Sequence, residues 1–116
     1  MTEERALCRL EEIPDGDSRG FPGVPGSFIG LLAVRRGAEV HVYVNSCPHV
    51  GVALDIVPDR FLDHRRERIV CAVHGALFRI EDGFCLSGPC AGDSLEAVPA
   101  RVDAAGTVWV PADTGG

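Results

Sequence analysis

Two short Cys/His pairs constrain this chain more than any other feature. The first is Cys47-Pro48-His49, followed by Val50-Gly51, and the second is Cys71-Ala72-Val73-His74, followed by Gly75. Each pair sets a thiol and an imidazole within one tight loop. A glycine follows closely, where the backbone needs a positive φ or a near approach. A chain of 116 residues has room for one domain with a modest core, so a metal centre that ties two loops together would add to its stability. Thiolate is a soft ligand suited to iron–sulfur chemistry or to zinc, and imidazole serves either metal. Ligand types alone leave a Cys2His2 zinc site open beside an iron–sulfur one.

The five cysteines are Cys8, Cys47, Cys71, Cys85 and Cys90. An odd number argues against a fully paired disulfide framework, and in a reducing compartment such residues serve as ligands or buried thiols. Cys85 reads as a buried thiol in an apolar strand. Cys90 follows Gly88-Pro89 and is expected near the metal centre in a supporting role, and Cys8 is expected to face the core. His41 and His64 read as solvated side chains, and Trp109 as a strand residue of the core.

The net charge is −6, and every basic residue is Arg. An acidic chain of this kind is ill suited to a phosphate backbone, so no nucleic-acid partner is expected. It suits docking onto a basic patch of a protein partner. The N-terminus is acidic and leads into no apolar signal region. No run of 18 apolar residues exists to span a membrane. The simplest location is the cytoplasm.

The hydrophobic pattern is all-β. Phe28 to Val34 is a short apolar run, Arg35-Arg36-Gly37 a turn, and Glu39 to Val44 alternates. In that alternation Val40, Val42 and Val44 share one face, while His41, Tyr43 and Asn45 share the other. Arg68 to Cys71 and Leu77 to Ile80 are strand-like, and Glu81-Asp82-Gly83 signals a hairpin turn into Phe84-Cys85-Leu86. Leu95 to Val102 and Thr107 to Val110 form a last pair. Asp15 to Ser27, with four Gly and two Pro, reads as a loop. The densely charged segment 59–68 lies between the two Cys/His pairs and reads as a protruding hairpin or finger.

The two pairs resemble the signature of the Rieske family, Cys-x-His in one loop and Cys-x-x-His in a second. The similarity extends from about Asn45 to Val110. Cys71-Ala-Val-His74-Gly75-Ala-Leu-Phe78 resembles the second cluster loop entering a strand, Gly83 its hairpin turn, and Ser87-Gly88-Pro89 the loop that covers the cluster. Positions 50 to 70, 21 residues, separate the pairs. The commonest family spacing is shorter, and the charged finger accommodates the difference.

The resemblance implies one Rieske-type 2Fe-2S cluster, with Cys47 and Cys71 on one iron and His49 and His74 on the other. It implies a single Rieske domain over 1–116: an antiparallel β-sandwich or barrel base, about 5–44 and 94–111, holding a smaller cluster-binding subdomain at about 45–93. The implied function is a one-electron carrier without catalysis of its own. As in the Rieske ferredoxins of ring-hydroxylating dioxygenase systems, it would pass electrons from a flavoprotein reductase to a terminal oxygenase. Alternatives are the small Rieske subunit of an NAD(P)H nitrite reductase and a zinc-stabilised binding module. In high-potential family members a Ser and a Tyr follow the second ligand His by two and four positions and donate hydrogen bonds to sulfur. Those proteins also brace the two loops with a disulfide. Here the matching positions are Ala76 and Phe78, and Val52 and Val73.

Overall fold

The computed structural model describes residues 3–22, 30–48, 53–55, 59–72, 75–88 and 90–112. Among these residues the chain is all-β and antiparallel, as its patterning predicts, with a single 3-10 turn at Leu10–Glu12. The strands are β1 (Glu4–Arg9), β2 (Ser18–Phe21), β3 (Leu31–Arg36), β4 (Glu39–Val44), β5 (Arg68–Cys71), β6 (Ala76–Arg79), β7 (Cys85–Ser87), β8 (Ala97–Val98), β9 (Arg101–Val102) and β10 (Thr107–Pro111). They form three sheets, ordered β1-β10-β9, β2-β3-β4-β8 and β5-β6-β7. No described helix is long and apolar enough to cross a membrane.

The continuous apolar run Leu31-Leu32-Ala33-Val34 explains how the sheets stack. A strand buried on one face alternates; one buried on both does not. Leu31 and Ala33 point into a core shared with Val42, Val44, Val98, Val108 and Val110. Leu32 and Val34 point the other way, into a second core with Tyr43, Phe61, Ile69 and Phe78. Strands β3 and β4 are thus a wall between two cores. Each large apolar side chain buried there contributes about 1.5–3 kcal/mol. The second core holds four of the five cysteines: Cys47, Cys71, Cys85 and Cys90. Tyr43 crosses it and donates its hydroxyl to the Ile80 carbonyl at 2.6 Å. Burial, with Asp82 and Glu81 nearby, pushes that phenol up to about 12.

Several elements depart from the sequence pattern. The Asp15–Ser27 stretch is not all loop, because Ser18–Phe21 pairs along the whole of its length with β3. Gly20 belongs there for a steric reason: a Cβ would stand 3.2 Å from the Phe61 ring. Residues 23–29, including Phe28, lie outside the described residues. Leu95 to Val102 is not one strand; its two short pieces pair with different partners, β8 with β4 and β9 with β10, either side of Pro99-Ala100. Pro99 lacks the N–H that a continuous ladder would require.

Trp109 is not a core residue. Val108 and Val110 take the inward face of β10, so alternation turns Trp109 outward. There its indole N–H donates to Asp103 at 2.9 Å and Arg101 stacks on its ring. The charged segment closes as a hairpin, with Asp63 N–H donating to Arg68 O at 3.0 Å and Val70 N–H to Phe61 O at 2.7 Å. Its root is anchored rather than solvated: Phe61 is fully buried, and Asp59 accepts from Gly20 N–H at 2.8 Å.

Candidate metal centre

The second Cys/His pair falls, in sequence, between β5, which ends at Cys71, and β6, which begins at Ala76. The last rung of that hairpin is Cys71 opposite Ala76. Gly75, at φ 70°, turns its N–H back to the Cys71 carbonyl at 2.7 Å. The first pair leaves the end of β4, where Asn45 N–H is held by Gly30 O at 2.9 Å. Both thiols are turned inward: Cys47 is 1% exposed and Cys71 0%. Their neighbours Pro48, Ala72 and Gly75 are exposed. The two thiols thus share the second core, each next in sequence to an exposed residue.

A relay of hydrogen bonds joins the two loops. Asn45 Oδ1 accepts from Leu54 N–H at 2.8 Å, and Asn45 Nδ2 donates to Asp55 at 3.0 Å. Leu54 O in turn accepts from Ala72 N–H at 2.9 Å, next to Cys71. Leu54 is fully buried. Sequence reasoning did not single out Asn45, Leu54 or Asp55. The available signal was an amide side chain two residues before the first thiol, able to donate and accept at once.

A third segment closes the arrangement from the side. Gly88, at φ 103°, presses onto the start of β6, where a Cβ would stand 2.7 Å from Ala76 Cα. Only glycine permits this approach. The chain then turns inward so that Cys90 is 1% exposed, with its Sγ 2.9 Å from Cys85 Sγ. Burial, followed by the bond to Cys85, pushes the Cys90 thiol up to about 11. Cys85 is buried as expected.

His49 and His74 lie outside the described residues, as do Val52, Val73 and Pro89. Among the described residues no three His, Cys, Asp or Glu side chains converge in a metal-binding arrangement. Cys8 is buried in the other core, and burial reinforced by Glu12 pushes its thiol up to about 11. His41 stands 3.9 Å from Glu39 on β4, and His64 is exposed on the charged hairpin. A cavity of about 480 Å³ opens against that hairpin, lined by Asp17, Asp59, Asp63 and Arg66 among others, and not at the thiols.

Residues 3–102 match the Rieske [2Fe-2S] domain. The chain belongs to the Rieske family. Its cofactor is accordingly one Rieske-type 2Fe-2S cluster, and its work is electron transfer. Among solved structures, a chain in the complex of reduced oxygenase and oxidized ferredoxin of carbazole 1,9a-dioxygenase is 23% identical. That match covers 97% of this chain and 96% of that one, with a TM-score of 0.75. The ferredoxin of carbazole 1,9a-dioxygenase from Nocardioides aromaticivorans IC177 is also 23% identical, over 95% and 98%, with a TM-score of 0.74. A chain in the reduced complex between oxygenase and ferredoxin of such a system is 21% identical over 95% of this chain and 28% of its own length, with a TM-score of 0.76. These likenesses establish the Rieske fold. No curated protein matches.

The described residues fit such a cluster. Two buried thiols, Cys47 and Cys71, lie in the same core and supply the soft donors that an iron–sulfur centre needs. The Asn45–Leu54–Ala72 relay ties the segments that carry them together.

Proposed function

We propose that the protein is a Rieske ferredoxin, with Cys47 and Cys71 holding one iron and His49 and His74 the other. In this proposal the cluster-binding subdomain spans about 45–93, set in a base of about 5–44 and 94–111. Electrons arrive from a flavoprotein reductase and leave to a terminal oxygenase. The observation that carries the proposal is the burial of Cys47 and Cys71 in one core, in a chain of this family. The oxygenase–ferredoxin complexes among its structural neighbours support an oxygenase as acceptor.

A bound Rieske cluster supplies one-electron oxidation and reduction at a potential set by its surroundings. The chain's own residues supply the rest. Asn45 and Leu54 tie the two segments together, and Gly88 packs against the start of β6 just after the second pair. Pro48, Ala72 and Gly75, beside the two thiols in sequence, are exposed and open to a partner.

Replacement of His49 or His74 by Ala tests the ligand set. Each variant is expected to lose native iron, acid-labile sulfide and the Rieske EPR signal, while Cys8→Ser keeps all three. Full retention in either histidine variant would refute the assignment. Zinc without sulfide in the wild-type protein would favour the binding module instead. A pull-down from the native cell extract tests the partners. Recovery of a reductase and an oxygenase supports the ferredoxin role, and recovery of one large nitrite reductase subunit would overturn it.

A further inference from the structure

Cys85 and Cys90 have no part in the proposed ligand set, yet the fold brings them together. Their sulfur atoms are 2.9 Å apart, and each residue is 1% exposed. The backbone holds them so. Cys85 N–H donates to Asp93 O at 2.8 Å, and Asp93 N–H donates to Cys90 O at 2.8 Å, which folds the segment back on itself. A disulfide sets two sulfurs about 2.0 Å apart, so bonding these two needs a shift of under about an ångström. Gly88 at φ 103° and Gly92 at φ 96° bracket Cys90.

We propose that Cys85 and Cys90 form a redox-active dithiol, which a hydroperoxide oxidises reversibly to an intrachain disulfide. One thiol, losing its proton, attacks the outer oxygen of the hydroperoxide. The O–O bond breaks, the sulfur becomes a sulfenic acid, and an alcohol leaves carrying that proton. The second sulfur then attacks the sulfenic sulfur, the S–O bond breaks, and water leaves with the second thiol's proton. The balance is two thiols and one hydroperoxide giving one disulfide, one alcohol and one water. Sulfur loses two electrons and the peroxide gains them.

The pair is also placed to report its state. Cys85, Cys90 and Cys47 share one buried core, so a disulfide alters the packing around that third thiol. This consequence for an iron ligand rests on the proposed function; formation of the disulfide does not.

The sequence makes the test clean. There is no Lys, and no Arg lies between Arg79 and Arg101, so trypsin releases Ile80–Arg101, with Cys85 and Cys90 its sole cysteines. Holo-protein is treated with graded hydrogen peroxide, blocked with N-ethylmaleimide, digested and weighed without reductant. The expected peptide loses both maleimide adducts together and the mass of two hydrogen atoms, and dithiothreitol restores both thiols. In Cys85→Ser and Cys85→Ala that coupled loss disappears. Stepwise modification of one thiol, irreversible sulfinic acid in place of the bond, or a Cys47–Cys90 cross-link would each overturn the proposal. Iron, sulfide and EPR measured before peroxide judge the Rieske assignment separately. A cluster-loaded protein without the disulfide defeats only this inference, and a disulfide in a protein without a cluster defeats only that assignment.

Discussion

The side chain of Asn45 ties two segments together, accepting from Leu54 N–H and donating to Asp55. Replacing it with Ala leaves the N–H of buried Leu54 without its acceptor, which costs about 1–3 kcal/mol. Asn45→Ala is expected to lower the urea midpoint and to hasten cluster loss to a chelator. Unchanged rates of loss would show that the relay does not hold the loops. Asp82 carries a different signal. Its hydrogen bond from Arg79, with a backbone bond from Phe84, brings its carboxyl down to about 2 from 3.8. A depressed pKa in the folded state means that this contribution is complete above about pH 3.8 and is lost as pH falls toward 2. Urea titrations across that window should show the loss, and Asp82→Asn should flatten it. At this scale the sequence pointed to the two thiols because their spacing with histidine is itself chemical information, and the fold buries both in one core. Asn45 was not, since a polar residue at a strand end is as well satisfied by water, and its partners lie nine and ten positions away.

Among the elements, the segment that packs on β6 depends most on one residue. A side chain at Gly88 would meet Ala76 backbone at 2.7 Å, at a φ that other residues rarely adopt. Strain of that kind costs about 1–3 kcal/mol, so Gly88→Ala should lower the melting temperature and bleach the cluster faster in air. Equal stability and equal bleaching would mean that the segment does not cover the site. Strand periodicity located β4 and β5 to the residue and β3, β6, β7 and β10 to within a few. It failed for β2, where glycine and proline mask a strand that exists because β3 offers it a full edge. It failed again around Pro99, because a sequence pattern does not show which neighbour each half will join. Trp109 was misplaced for the same reason: aromatic size suggests a core, but alternation with Val108 and Val110 decides.

For the whole molecule the governing quantities are charge and the shortage of hydroxyl donors. Ala76 and Phe78 are fully buried and cannot donate, and the net charge is −6. Both disfavour adding an electron. Rieske potentials run from roughly −150 to +300 mV, and this protein is expected below about 0 mV. Protein-film voltammetry near neutral pH checks it, and a midpoint well above zero refutes it. A double variant, Ala76→Ser with Phe78→Tyr, should move the midpoint upward. The β3–β4 wall has a consequence of another kind. Every residue from Leu31 to Val34 belongs to one core or the other, and close-packed interiors tolerate little change of volume. A change of volume at any of these four positions is therefore felt on the side it faces, while its neighbour in sequence answers to the opposite side. The stretch acts as a double-sided template, and a designer who repacks one half of the molecule leaves the other half untouched only by altering alternate residues.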